Sequence, residues 1–67
     1  MDGNWRKVYS NTFEHKVEIL KAVLKDAGIE SVVMNKKDSA YLFGDIELYV
    51  QSGNVLKAKQ IINRESL

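Results

Sequence analysis

The apolar side chains between residues 13 and 27 constrain the fold most, because they repeat with the period of an α-helix. The stripe consists of Phe13, Val17, Leu20, Leu24 and Ala27. Gly28 follows directly, and glycine is the residue that commonly ends a helix in a left-handed conformation. Asn11, with Glu14 three residues later, resembles a capping box and predicts where the helix begins.

Three further segments have the composition of β-strands. Residues 5–10 are rich in β-forming side chains, and residues 29–35 contain the β-branched run Ser-Val-Val-Met. Residues 46–50 alternate apolar Ile46, Leu48 and Val50 with Glu47 and Tyr49, which is the period of a strand with one buried face. We therefore expect strands on both sides of the helix.

A second helical stripe closes the chain. Ser52, Gly53 and Asn54 supply polar cap residues. The stripe that follows consists of Val55, Ala58, Ile61 and Ile62. The predicted order over residues 1–67 is β-α-β-β-α in a single α+β domain.

A strand, crossover helix and strand form a right-handed parallel unit, and the third strand then returns antiparallel. If it inserts between the first two strands, the result is a ferredoxin-like two-layer sandwich that lacks the fourth strand. Both helices would cover one face of a three-stranded sheet. The other face would be bare.

Composition narrows the setting of this domain. The 67 residues contain no cysteine, which excludes disulfides, thiolate metal sites and thiol nucleophiles and favours a reducing compartment. No apolar run approaches the ~20 residues that span a bilayer. We therefore expect a cytoplasmic protein without membrane attachment. A net charge of +1 argues against affinity based on phosphate neutralisation.

The segment from Ile19 to Val50 carries a family resemblance. It reads Ile-Leu-Lys-Ala-Val-Leu-Lys-Asp-Ala-Gly-Ile-Glu, then Asn35, then Asp-Ser-Ala-Tyr-Leu-Phe-Gly at residues 38–44, then Ile-Glu-Leu-Tyr-Val at residues 46–50. The chain resembles the small prokaryotic domain family labelled putative signal transducing protein. Members are similar in element order to the nitrogen regulatory PII proteins, and the resemblance implies a regulatory function.

A PII-like protein would further imply a trimer that binds nucleotide and 2-oxoglutarate, with a long loop between the second and third strands. Here the corresponding connection, residues 36–45, is much shorter, and the chain has no Gly-rich phosphate cradle. The resemblance therefore implies no nucleotide site that can be transferred residue by residue.

The residues that could act in catalysis or metal binding lack suitable partners in the sequence. His15 is the single histidine, and Ser39 lacks the glycine elbow of a serine hydrolase. Asp38, Asp45 and Glu47 do not follow the EF-hand pattern, and Lys36-Lys37 is typical of a solvated surface. We expect no catalytic residues, no metal and no cofactor.

The aromatic residues give the most specific prediction. If Ile46, Leu48 and Val50 face the helices, and the third strand begins near Tyr41, alternation places Tyr41, Phe43 and Tyr49 on the bare face with Asp45 and Glu47. With Val8 towards the helices, Trp5 and Tyr9 join them. Two alternatives remain: Trp5 and Tyr9 could point into the core, or a bulge at Gly44 could swap Tyr41 and Phe43.

This pattern predicts a non-enzymatic regulatory or protein-interaction module that acts through the open sheet face and the connection before the third strand. Its surface would consist of Trp5, Tyr9, Tyr41, Phe43 and Tyr49, with Asp38, Ser39 and Glu47 as weaker candidates. The partner would be another protein or a second copy of the chain. The alternatives are single-stranded nucleic-acid binding through stacked aromatics and a small-ligand sensor.

Overall fold

The computed structural model of the chain describes residues 4–36 and 44–65. Its elements are β1 (Trp5–Asn11), α1 (Glu14–Asp26), β2 (Ser31–Asn35), β3 (Ile46–Gln51) and α2 (Val55–Glu65), with a short 3-10 turn, Ser52–Asn54, before α2. The order β-α-β-β-α confirms the sequence prediction. The expected start of the third strand near Tyr41 lies outside the described residues.

β3 lies in the centre of the sheet, whose strand order is β1-β3-β2. It pairs antiparallel with both neighbours, so β1 and β2 run parallel to each other with α1 as the crossover between them. This is the predicted α+β ferredoxin-like arrangement, with three strands in the part of the chain that the structure describes.

Both helices contribute to one hydrophobic core on a single face of the sheet. The buried residues are Val17, Leu20, Leu24, Ile29, Ile46, Leu48, Val50, Ala58 and Ile61. Along β3 the burial alternates: Ile46, Leu48 and Val50 are at most 1% exposed, whereas Glu47 and Tyr49 are only partly buried. The period-two pattern of this segment therefore predicted correctly which side chains face the helices.

The start of α1 differs from the prediction. Asn11 is still part of β1, and its Oδ1 accepts the backbone N–H of Phe13 at 2.9 Å, which is an Asx turn rather than a capping box. Phe13 occupies the N-cap position in an extended conformation. Because it precedes the helix, the helical period does not apply to it, and its side chain is 57% exposed.

The end of α1 follows the prediction closely. Gly28 has φ of 82°, and its N–H donates to the carbonyl of Lys25 at 2.9 Å, while that of Ile29 donates to Leu24 at 2.8 Å. These two bonds define a Schellman motif, in which residues at the positions of Ile29 and Leu24 commonly make an apolar contact. Both are buried in the core, so the turn fixes where the chain leaves the helix and enters β2.

β1 contains an irregularity that the sequence prediction lacks. Lys7 lies opposite Tyr49, but Tyr9 lies opposite Leu48, so Val8 is an extra residue in the ladder. Val8 and Tyr9 both pack against the core. An extra residue reverses the sides on which the following side chains lie, and the two halves of β1 therefore have opposite alternation.

Candidate interaction surface

The face of the sheet opposite the helices is built around two side chains of β3. Glu47 and Tyr49 alternate with the buried residues of that strand and so project away from the core. Residues directly opposite in an antiparallel pair share a face. Across β1 these are Ser10 for Glu47 and Lys7 for Tyr49.

The other neighbours follow from the same register. Met34 lies opposite Glu47 and Val32 opposite Tyr49, while Trp5 lies opposite Gln51 at the end of β1. We call the open face the set of larger side chains on this side: Trp5, Lys7, Val32, Met34, Glu47 and Tyr49. Ser10 and Gln51 complete it with small polar groups.

A polar network lies in the middle of the open face. The Tyr49 hydroxyl donates to Glu47 Oε1 at 2.7 Å, and Lys7 Nζ lies 3.4 Å from Glu47 Oε2. The carboxylate is thus held between a hydroxyl and an ammonium group from two strands. The Glu47 side chain is 16% exposed and the Lys7 side chain is 52% exposed, so the carboxylate is the more enclosed of the two charged groups.

These contacts fix the ionisation of both β3 side chains. The hydrogen bond from Tyr49 lowers the pKa of Glu47 below its ordinary value of 4.5, with the charges of Lys7 and Lys36 acting in the same direction against partial burial. The same hydrogen bond, with partial burial and the carboxylate charge, raises the pKa of Tyr49 above 10.0. At neutral pH the network therefore consists of an anion, a cation and a neutral phenol.

The remainder of the open face is apolar. It consists of Trp5, Val32 and Met34 with the ring of Tyr49, all of them partly buried. Within residues 4–36 and 44–65, both helices pack on the other face of the sheet. Val32 and Met34 were not predicted as members of this surface. Their run Ser-Val-Val-Met has no polar alternation, and only the register against β3 assigns them to a face.

Tyr9 is a correction to the predicted surface. The extra residue Val8 places Tyr9 opposite the fully buried Leu48 and against the core. Its hydroxyl accepts the Asn11 side-chain N–H at 2.9 Å. Without the bulge, strict alternation from Lys7 would have put Tyr9 on the open face, which is why the sequence argument was wrong for this residue.

The remaining predicted surface residues lie outside the described residues, as does Lys37: they are Asp38, Ser39, Tyr41 and Phe43. Of the predicted candidates, Trp5, Glu47 and Tyr49 share the open face.

The other residues considered for catalysis or metal binding lie away from the open face. His15 is exposed on α1, with its ring 6.0 Å from that of Phe13. Lys16 Nζ lies 5.5 Å from the same phenylalanine ring. Residues 4–36 and 44–65 contain no group of three or more His, Asp or Glu side chains that could hold a metal ion.

The end of α1 and the start of β2 border an open cavity of about 380 Å³. Lys21 and Lys25 line it together with Ile29, Glu30 and Ser31. The two ammonium groups and one carboxylate give it a mixed charge over an apolar floor. It is separate from the open face, because α1 packs on the other side of the sheet.

Within the described ranges, neither α1 nor α2 has the length and apolar character needed to cross a membrane. Comparison with curated proteins and with solved structures gives no significant match. Comparison with protein families matches residues 5–66 to the family described as "Putative prokaryotic signal transducing protein". That description does not mention the PII proteins, so the likeness to them stays a prediction. The match extends over nearly the whole chain, and the chain therefore belongs to this family.

Proposed function

We propose that this chain is a non-enzymatic regulatory module that binds a protein partner through the open face. The observation that carries the proposal is the composition of that face. Trp5, Val32, Met34 and Tyr49 form an apolar surface around one fixed ion pair. Aromatic residues and methionine are enriched at protein interfaces, and monomers seldom leave large apolar patches exposed.

The Lys7–Glu47 pair would set the orientation in which a partner docks on this surface. A carboxylate and an ammonium 3.4 Å apart present a small dipole within an otherwise apolar area. A partner with opposite charges in the matching order would dock in one orientation, because the reversed order would oppose like charges. The partner we expect is therefore a flat apolar surface with one acidic and one basic group near its centre.

The same network argues against acid–base catalysis at this site. A general base works best when its pKa is close to the working pH, whereas the pKa of Glu47 is lowered by the hydrogen bond from Tyr49. The carboxylate is also already engaged by two partners. Its charge disfavours nucleic acid as well, since phosphates approaching Trp5 and Tyr49 for base stacking would meet an anion.

The proposal is tested by substitution on the two faces of the domain. The purified chain, tethered at its C-terminus, is used to capture proteins from the cells that produce it, and binding of the captured protein is then titrated directly. Tyr49→Ala and Trp5→Ala should each weaken binding about tenfold or more, as expected of central aromatic contacts. Leu56→Ala is the matched control, because Leu56 is 73% exposed on α2, away from the open face.

Equal loss of binding in all three variants would contradict the proposal. Two further titrations separate the alternatives. Single-stranded oligonucleotides should not bind, and affinity for them that falls steeply with salt would favour nucleic-acid recognition instead. A panel of nucleotides should leave the melting temperature unchanged, whereas a rise for one of them would favour a small-ligand sensor.

A further inference from the structure

In the described part of the chain, the two outer strands of the sheet differ in how well their outer edges are protected against pairing with another strand. β1 carries the bulge at Val8 and the charged residues Arg6 and Lys7. Bulges and charges of this kind are the usual protection of an edge strand against pairing with another chain. β2 pairs with β3 in regular register throughout, and Ser31–Asn35 contains no charged residue. Of the two edges, β2 is the one suited to accept a further strand.

The hydrogen bonding at the end of β2 identifies which of its backbone groups point outwards. The Lys36 N–H donates to the Asp45 carbonyl at 3.0 Å. Bonded and non-bonded pairs alternate along an antiparallel ladder, so Val32 and Met34 also direct their backbone groups towards β3. Ser31 and Val33 therefore direct theirs towards the free edge. In the described part of the chain, β2 has β3 as its single strand neighbour.

The sequence around β2 is complementary to itself when it is read in the opposite direction about Val33. The opposed pairs are Glu30 with Lys36, Ser31 with Asn35, Val32 with Met34, and Val33 with Val33. Each charged position meets its opposite charge, each apolar position meets an apolar one, and the polar pair joins serine to asparagine. Glu30 and Lys36 are both exposed, so their side chains are accessible to a second copy.

We propose that β2 is the pairing edge of a symmetric dimer, in which the β2 strands of two copies of this chain lie antiparallel with Val33 on the two-fold axis. Val33 then forms a hydrogen-bonded pair with its counterpart, exchanging N–H and C=O groups that bond to no other strand in residues 4–36 and 44–65. Opposite charges directly across an antiparallel pair stabilise it, and like charges destabilise it. The interface is isologous, so the Glu30–Lys36 pair occurs twice.

The dimer has a geometric consequence for the open face. Val32 and Met34 lie on that face. In the proposed register, Val32 of one copy lies opposite Met34 of the second copy. The two three-stranded sheets would join into one of six strands, and the two open faces into one continuous surface. The dimer is independent of the partner proposed above, because it uses the edge of the sheet rather than its face.

The test relies on the Glu30–Lys36 pair, which occurs twice in the proposed dimer. Sedimentation equilibrium of the native chain from micromolar to millimolar concentration should show a monomer–dimer equilibrium. Glu30→Lys and Lys36→Glu should each raise the dissociation constant by about tenfold, because each variant opposes two pairs of like charges in its own dimer. An equimolar mixture of the two variants should dimerise again, because their heterodimer pairs each lysine with a glutamate.

Glu65→Lys is the matched control, since it makes the same charge change at the exposed end of α2 and should leave the dissociation constant unchanged. Ser31→Pro removes an outward N–H without removing a bond to β3 and should weaken the dimer while the circular dichroism stays native. A native chain that is monomeric at millimolar concentration would overturn the proposal. So would a dimer that neither charge variant weakens, or one that mixing does not restore.

Discussion

β3 has two faces that carry alternate residues of one six-residue strand, and they differ in how their side chains are satisfied. On the covered face, Ile46, Leu48 and Val50 are buried beneath the helices, and they contribute to the free energy of folding through apolar burial. On the open face, Glu47 and Tyr49 are satisfied by each other and by Lys7. We therefore expect most of the stability to come from the covered face, while the open face leaves polar groups accessible to a partner.

The largest expected effect is on the covered face. Leu48→Ala should lower the free energy of unfolding by about 2–5 kcal/mol, because it leaves a cavity in a core that this short chain cannot easily rearrange. Tyr49→Ala, one position along the same strand, should cost clearly less, because its side chain is not enclosed. Urea denaturation followed by circular dichroism measures both. Equal losses would mean that the open face is also part of the core.

The next effect concerns the turn that places Ile29 in the covered face. Gly28→Ala should cost about 1–2 kcal/mol, because φ of 82° is unfavourable for a residue with a Cβ. An added Cβ meets no atom within 4 Å at Gly28 or at Gly53, so the backbone angle alone separates the two sites. Gly53→Ala should therefore be neutral or slightly stabilising. The same denaturation experiment compares them, and an equal cost at both positions would contradict the Schellman assignment.

A smaller effect is expected in the ionisation of the open face. Tyr49→Phe should raise the pKa of Glu47 towards 4.5, because it removes the hydrogen bond that lowers that pKa most. Tyr9→Phe is the control: it removes a hydroxyl from the covered side and should leave the pKa of Glu47 unchanged. NMR titration of the Glu47 carboxyl carbon measures the change.

The lowered pKa also sets the direction of a stability effect. A carboxyl whose pKa is lower in the folded state stabilises that state above its unfolded pKa and loses this contribution as the pH falls through the folded value. The contribution of Glu47 should therefore be complete above pH 4.5 and decline below it. Denaturation across that range should show a shallower acid loss for Tyr49→Phe than for the native chain. Identical pH profiles would show that the hydrogen bond contributes nothing to folding.

The smallest effect is expected at His15, which belongs to neither face of β3. It is exposed on α1, and its ring lies 6.0 Å from that of the exposed Phe13. His15→Ala should change the free energy of unfolding by no more than about 0.5 kcal/mol and leave partner binding intact. Thermal denaturation and the binding titration check this. A loss of binding would move the functional surface from the sheet to the helix layer.

The sequence predicted those parts of the fold that depend on local rules. The stripe of α1, its stop at Gly28 and the alternation of β3 are each set by residues close in the chain. The bulge at Val8 was not predictable in this way. Val8 and Tyr9 are both apolar enough to pack on the core, and only the pairing with β3 decides between the two registers. Asn11 likewise could cap a helix or extend β1, and the strand pairing selected the second.

The candidate site was predicted unevenly for the same reason. Glu47 and Tyr49 follow directly from the alternation of their strand. Val32 and Met34 lie in an apolar run with no period of its own, so their face is known only from the neighbouring strand. The hydrogen bond between Glu47 and Tyr49 required no long-range information, since residues two apart in a strand lie side by side.

The bulge at Val8 means that seven residues of β1 are matched to six of β3. A point substitution cannot restore equal counts, because the surplus is a length of backbone and not a property of one side chain. Deleting Val8 would remove the surplus and, with the pairing at both ends kept, would leave Tyr9 opposite Leu48 on the covered side and Lys7 opposite Tyr49 on the open side. The bulge is therefore a spacer of one residue, and a chain that lacked it could still place the same side chains on each face of the sheet.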